Sequence, residues 1–201
     1  MSFDYQKLLE EILSSITSAP GVTPETLPSL DLYMDQVTSL MEDALSFTRR
    51  SEHDKILTKT MINNYAKNHL LPAPQKKKYS REHLLLLVFI YYFKNILSLQ
   101  DIQTILAPLC SRYFHASPVN VGQIYREVTA CAEPQVELIR SEVGEYIKRA
   151  GDLCKDAPEQ DREYLRFFSL ICQLGMDIYV RRHIMEKLID SYAKEASQTD
   201  V

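Results

Sequence analysis

Apolar residues recur at spacings of three and four along most of the chain, the pattern typical of amphipathic α-helices. In DYQKLLEEILSSIT the stripe of a first helix is formed by Tyr5, Leu8, Leu9, Ile12 and Ile16. In YMDQVTSLMEDALSF the stripe of a second helix is formed by Val37, Leu40, Met41, Ala44 and Phe47. Strict alternation of apolar and polar residues is missing outside one short basic segment, so the pattern predicts an all-α fold.

Capping residues and prolines place the helix boundaries in the middle of the chain. Thr58 is a good N-cap for a short helix that should end near Asn68 or His69. Pro72 and Pro74 exclude a helix from the segment that follows, which is therefore predicted as a basic loop or short hairpin.

A very apolar helix is predicted after this segment. Ser80 caps it, and it should reach to about Leu97, where Ser98 and Asp101 resemble a capping box that opens the next helix. The run LLLLVFIYYF at residues 84–93 is apolar on every side, which indicates a buried core helix. It is too short to span a bilayer, which needs about 20 apolar residues.

The second half of the chain predicts further helices. One should begin with Ser117 as N-cap and Pro118 at its first position. The last helix, roughly 159–195, is apolar on more than one side and must be covered by more than one neighbour. We therefore predict three parts: an N-terminal helix and linker at 1–26, a middle domain at 27–115, and a C-terminal helical domain at 116–201.

Charge is distributed unevenly along the chain. The net charge is −4, but residues 49–82 contain nine basic and three acidic residues, a local balance of +6 that leaves −10 elsewhere. A basic segment on an acidic body suggests a binding site for a polyanion.

The helix predicted at 58–68 has an unusual polar face. Thr60, Asn63, Asn64 and Lys67 share this face at helical spacing. Asn can pair bidentately with adenine in the major groove, whereas Lys and Thr suit phosphates. A short amphipathic helix precedes this one, so the pair has the outline of a helix-turn-helix with its second helix as the recognition helix.

The basic segment that follows would grip the sugar-phosphate backbone beside that helix, and Tyr79 could donate its phenolic hydrogen to a phosphate. The full set of candidate DNA-binding residues is Lys59, Thr60, Asn63, Asn64, Lys67, Lys76, Lys77, Lys78, Tyr79 and Arg81.

The stretch MINNYAKNHLLPAPQKKKYSREHLLLLVFIYYFKNILSLQDIQTIL resembles the DNA-binding half of MerR-type regulators. The matching residues are Ile62, Tyr65, Leu70, Leu71, Pro72, Tyr79, Ser80, Ser98, Leu99 and Ile102. The stretch from LPSLDLYMDQV to TKTMINNYAKNHLLP resembles even more closely a bacterial family of unknown function thought to be MerR-like, and the match covers roughly residues 27–108. The resemblance implies a winged helix-turn-helix in residues 27–115, binding to double-stranded DNA, and a homodimer formed through the C-terminal helices.

The chain departs from the MerR pattern at several positions. Asn63 and Asn64 replace an Arg-Tyr pair, and His69 replaces a Gly. The basic wing is short, and residues 46–57 are longer than a minimal helix-turn-helix connection. This connection could add a phosphate-contacting arm formed by Arg49, Arg50 and Lys55.

Other classes of function find little support in the sequence. There is no Gly-rich phosphate loop, no nucleophile motif and no His/Cys metal spacing, so we expect a protein that is not an enzyme and has no cofactor or metal. We predict reduced thiols for Cys110, Cys131, Cys154 and Cys172, none of which lie at C-x-x-C spacing. No signal peptide or membrane span is recognisable, which indicates a cytoplasmic protein.

Two alternatives remain open at this stage. The chain could be a helical protein-interaction module that has the same fold but does not bind DNA. A small-molecule or protein effector could also bind within residues 116–201. The sequence identifies neither that effector nor the operator, and it does not distinguish an activator from a repressor.

Overall fold

The computed structural model of the protein describes residues 4–18, 21–153 and 155–199, without the side chains of residues 133 and 199. The fold is predominantly helical, which confirms the all-α prediction. Its elements in chain order are α1 (Tyr5–Thr17), β1 (Leu32–Tyr33), α2 (Met34–Leu45), α3 (Lys59–Lys67), β2 (Lys78–Tyr79), α4 (Arg81–Phe93), α5 (Leu99–Tyr113), α6 (Val121–Thr129), α7 (Ala132–Asp152) and α8 (Glu159–Thr199).

The described chain divides into two units, which we call the helical unit and the central unit. The helical unit contains α1, α7 and α8 as far as Met185. Its core is formed by Tyr5, Leu9, Leu13, Ile147, Ala150 and Leu170. The sequence stripe on α1 was wrong for Leu8, Ile12 and Ile16, which are exposed because only the Tyr5, Leu9 and Leu13 line packs into this core.

The central unit contains the described residues 21–130 and 186–199 and is built around α4. Leu84, Leu85, Leu86, Leu87 and Ile90 are at most 1% exposed, so the prediction of a core helix is confirmed. The helix ends at Phe93 and not near Leu97, because the chain turns there and buries Leu97.

The connection between α2 and α3 is long but anchored. A 3₁₀ turn at Ser46–Thr48 follows α2, and the Thr48 hydroxyl is hydrogen-bonded to the Tyr91 hydroxyl on α4. Lys94, just after α4, donates to the carbonyl of Ile56 at 2.8 Å. Ile56 itself is buried. These contacts hold the start of α3 against the core.

The short sheet pairs the segment before α2 with the segment before α4. β1 and β2 are antiparallel, with Leu32 opposite Tyr79 and Tyr33 opposite Lys78. Residues 75–79 are therefore held at a fixed position relative to the beginning of α2.

Local capping signals decide most of the remaining helix boundaries. Ser98 and Asp101 form the predicted capping box of α5, with the Ser98 Oγ accepting from the Asp101 N–H at 3.1 Å. The prediction of Ser117 as an N-cap was wrong. Asn120 caps α6 instead, because its Oδ1 is the atom that accepts from the N–H of Gln123, at 3.0 Å.

Among the described cysteines, Cys110 and Cys172 are free thiols. Burial raises the pKa of Cys110 to about 11, so that thiol stays protonated near neutral pH. Cys154 lies outside the described residues.

A buried histidine joins the segment before α4 to the core. His83 is 1% exposed, and its Nδ1 accepts from the Ser80 N–H at 2.9 Å, which caps α4 as a Glu or Gln would. The ring packs edge-on against Tyr79 and Phe114, with centroid distances of 5.5 and 4.8 Å.

Burial lowers the pKa of His83 to about 4, because a charged ring would lose its hydration here. The neighbouring His115 lowers this pKa further, and the carbonyls of Ala73 and Pro72 partly oppose the shift.

We expect acid to destabilise the fold through His83. The unfolded chain protonates this residue near pH 6.5 and the folded chain only near pH 4. Unfolding therefore takes up a proton between these values, and stability falls as the pH drops through that window. The loss should reach roughly 2 kcal/mol between about pH 7 and about pH 5, measured as the free energy of unfolding in urea.

The matched control is His83→Gln, which keeps the capping hydrogen bond and does not titrate. The difference in unfolding free energy between the two proteins should shrink as the pH falls through this window. A constant difference would contradict the assignment.

Candidate nucleic-acid interface

Helix α3 buries one face and exposes the other. Ile62 and Tyr65 are buried in the core of the central unit. The opposite face, which we call the amide face, is exposed and carries Thr60, Asn63, Asn64 and Lys67. Within the described part of the chain, the side-chain amides of Asn63 and Asn64 form no hydrogen bond, so their donors and acceptors remain available.

Both ends of α3 are fixed by capping hydrogen bonds. The predicted N-cap is confirmed, since the Thr58 Oγ1 accepts from the Met61 N–H at 3.2 Å. At the C-terminus, Leu70 donates to the Tyr65 carbonyl at 2.9 Å and His69 donates to the Ala66 carbonyl at 3.3 Å. This is the Schellman pattern, which stops the helix and satisfies its last carbonyls.

The Schellman motif explains the residue that departs from the MerR pattern. His69 has φ = 58°, the left-handed conformation that Gly would adopt at lower cost. The His69 side chain is exposed and lies directly after the end of α3. Most residues other than Gly are disfavoured in this backbone conformation.

A tight turn at residues 75–78, which we call the wing turn, presents the lysines. Lys78 N–H donates to the Gln75 carbonyl at 2.9 Å, and the two central residues, Lys76 and Lys77, have φ = 51° and 64°. Two positive φ angles are characteristic of a type I′ turn, in which Asn-Gly is the favoured pair. The wing turn therefore holds two exposed lysines in a conformation that costs free energy.

The remaining candidate residues are used differently. Lys59 forms an ion pair with Asp35 on α2. The Lys78 ammonium lies 5.0 Å from the centre of the Tyr33 ring, a cation–π contact.

Two of the candidates hold the fold together. Tyr79 is 3% exposed, so its hydroxyl is not accessible to a phosphate, and this corrects the sequence expectation for that residue. Arg81 donates to the carbonyls of Leu27 and Pro28, at 3.2 and 3.4 Å, and so anchors the segment before β1. The role of Arg81 could not be read from the sequence, since Leu27 and Pro28 are more than 50 residues away along the chain.

Of the basic side chains in the α2–α3 connection, one is paired within the protein and two are not. Arg49 pairs with Glu42. Arg50 and Lys55 are exposed and have no ion pair among the described residues. Lys67, Lys76 and Lys77 likewise have no ion pair among the described residues, so the amide face, the wing turn and this connection each carry unpaired positive charge.

Sequence reasoning missed the backbone conformation of the wing turn. A two-residue hairpin loop after Pro72 and Pro74 was foreseeable, but lysine is not a residue that signals positive φ. The pairing of β2 with β1 also escaped prediction, because each strand has only two residues.

Other kinds of site are not evident in the described residues. No group of three or more His, Cys, Asp or Glu side chains could hold a metal ion there. No helix among them has the length and apolar character needed to cross a membrane. A cavity of about 590 Å³ lies between residues 21–28, Leu32 and α2, and its lining includes none of the candidate DNA-contact residues.

Comparison with known proteins gives one match. A family model described as "Domain of unknown function (DUF1836)" matches residues 22–128, more than half of the 201-residue chain. The match contains the whole of α2, α3, the wing turn, α4 and α5. No curated protein and no solved structure matches the chain.

We expect the double change Lys76→Asn with Lys77→Gly to stabilise the protein. Asn and Gly adopt positive φ more easily than Lys, so the free energy of unfolding should rise by about 1–2 kcal/mol. Urea unfolding near neutral pH measures the change. The control, Lys76→Ala with Lys77→Ala, removes the same charges but keeps both Cβ atoms, so it should give little gain. Equal stabilisation by both pairs would attribute the cost to repulsion between lysines instead of to backbone strain.

Proposed function

The chain belongs to the family described as domain of unknown function DUF1836, and we propose that this member is a transcription regulator that binds double-stranded DNA. In this proposal α3 enters the major groove as the recognition helix, and the wing turn contacts the sugar-phosphate backbone. The central unit then acts as a MerR-like winged helix-turn-helix. The chain has no catalytic role.

The observation that carries the proposal is the amide face of α3. Asn63 and Asn64 are adjacent, exposed and without internal hydrogen bonds, on a helix fixed at both ends. An Asn side chain has the donor and acceptor geometry to pair with the N6 and N7 atoms of adenine. Lys67 and Thr60, on the same face, suit the flanking phosphates.

The wing turn supports the same interpretation. Lys76 and Lys77 occupy left-handed positions where Asn or Gly would be more stable. Retention of two cations at a conformational cost is typical of a functional contact. The duplex backbone is the partner for which exposed positive charge contributes most to affinity.

The proposed assembly is a homodimer that reads two half-sites. Two copies of one recognition helix would bind a pseudo-palindromic operator, as in other helix-turn-helix dimers. A small-molecule or protein effector acting on the second half of the chain remains part of the proposal, without a defined site.

One observation favours the alternative of a protein-interaction module with the same fold. Tyr79 and Arg81 serve the fold itself, and Lys59 is already paired with Asp35. Fewer groups therefore remain for phosphates than the sequence suggested. Selection of bound duplexes from a random pool separates the two functions. An enriched motif supports the regulator, and no retention of any duplex at low salt supports the interaction module.

We expect Asn63→Ala to cost about 1–3 kcal/mol in binding to the selected duplex and to relax base choice at one position. The reason is that a bidentate base contact would be lost while the phosphate contacts stay. Fluorescence anisotropy on duplexes that vary at that position measures both effects. Asn95→Ala is the matched control, since Asn95 is also exposed but lies after α4. Unchanged base preference in the Asn63 variant would remove α3 as the reading element.

The wing-turn variant Lys76→Asn with Lys77→Gly should bind all duplexes more weakly. Loss of two phosphate contacts should reduce the slope of log affinity against log salt by about 1.8. The control is Lys148→Gln with Lys194→Gln, which removes two charges from exposed positions on α7 and α8. An equal loss in both proteins would point to net charge alone, and no loss in the wing variant would place this turn away from DNA.

A further inference from the structure

Tyr33 and the first turn of α2 connect the two elements that the proposed function assigns to DNA. Asp35, in that turn, forms an ion pair with Lys59, the first residue of α3. Tyr33 directly precedes α2 and lies opposite Lys78, the last residue of the wing turn, in the short sheet. The start of the recognition helix and the base of the wing turn therefore contact residues that are only two positions apart along the chain.

The Tyr33 side chain faces solvent beside this lysine. Successive residues of a strand point to opposite faces, so Leu32 is buried whereas Tyr33 is 54% exposed. The Lys78 ammonium lies over the ring, 5.0 Å from its centre. This cation–π contact restricts a long, flexible side chain, so less conformational entropy is lost when the ammonium binds an anion.

The start of α2 does not require a tyrosine. Residue 33 is the N-cap position, where Ser, Thr, Asp and Asn are preferred, and the Tyr33 side chain makes no capping hydrogen bond. Gln36 provides the cap instead, since its Oε1 accepts from the Tyr33 backbone N–H at 2.9 Å. Any residue other than proline offers that N–H, so the phenol group has no part in the helix start and its presence needs another cause.

The surroundings of Tyr33 suit a phosphate. Asp31 and Asp35 are balanced in number by Lys59 and Lys78, and the wing turn adds two further cations. With the ammonium over the ring, its nitrogen and the phenolic oxygen are about 6 Å apart, a gap that one phosphate can bridge with two hydrogen bonds of about 2.8 Å. Tyrosine hydroxyls and lysine ammonium groups are both common donors to the phosphate oxygens of DNA.

We propose that Tyr33 and Lys78 together bind one phosphate of the duplex backbone, the tyrosine through its hydroxyl hydrogen and the lysine through its charge. The inference rests on the proposed function, and it adds a contact residue that lies on neither the recognition helix nor the wing turn. The contact carries no base specificity. Because Asp35 joins the same segment to Lys59, the contact fixes the position of α3 relative to the backbone.

Tyr33→Phe tests the contact, because it removes the hydroxyl and keeps the ring beneath Lys78. On the duplex selected for the wild type, fluorescence anisotropy should show an affinity reduced roughly tenfold. The reduction should be the same on duplexes with altered bases, and the slope of log affinity against log salt should not change, since no cation is lost. Lys78→Gln should instead lower that slope by about 0.9.

The matched control is Tyr192→Phe, since Tyr192 on α8 is 48% exposed, and this variant should bind as the wild type does. Urea unfolding should give the same free energy for Tyr33→Phe and the wild type, which separates binding from folding. If the ring served only to stabilise the wing turn through Lys78, Tyr33→Phe would keep full affinity. Only Tyr33→Ala would then lose affinity, together with stability, and that result would overturn the proposal.

Duplexes that carry a single neutral methylphosphonate group locate the contacted phosphate. At one backbone position the replacement should weaken binding of the wild type, while Tyr33→Phe and Lys78→Gln should lose much less there. If no position distinguishes these variants from the wild type, the shared phosphate contact is refuted while DNA binding stands. A wild type that retains no duplex even at low salt refutes the proposed function, and this contact with it.

Discussion

The central unit depends on the burial of α4, a helix that is apolar around most of its circumference. Such a helix is stable only when neighbours cover it on all sides. β2, α6 and the α2–α3 connection provide that cover. The elements that expose α3 and the wing turn are thereby linked to one scaffold. A change in α4 would therefore be transmitted to both parts of the proposed DNA-binding surface.

The parts of the fold that the sequence predicted correctly are those with local causes. Thr58, Ser98 and Asp101 were identified because an N-cap acts on residues two or three positions away. The burial of residues 84–88 followed from their composition. The division between the two faces of α3 followed from its period, which correctly exposed Asn63 and Asn64.

The failures have non-local causes. Too many residues of α1 were assigned to its apolar stripe, because the helices that pack against α1 decide which of them are buried. Asn120 competed with Ser117 for the same N-terminus, and both are acceptable caps. Tyr79 and Arg81 were predicted to contact a phosphate. Tyr79 instead packs against the His83 ring, and Arg81 donates to two carbonyls that are distant along the chain. The left-handed backbone conformation of Lys76 and Lys77 could not be predicted, because lysine is not a residue type that favours positive φ. A candidate site could thus be located from the sequence, but its contact residues had to be reassigned.

The two-residue pairing of β1 with β2 determines which side chains next to the wing turn face the core and which face solvent. Lys78 lies over an exposed ring and Tyr79 points into the core. A shift of one residue would turn the tyrosine outward and force an ammonium into the interior. Insertions or deletions are therefore tolerable at the tip and not in its stem. Length and charge at the tip can therefore change while the stem stays constant, without redesign of the fold.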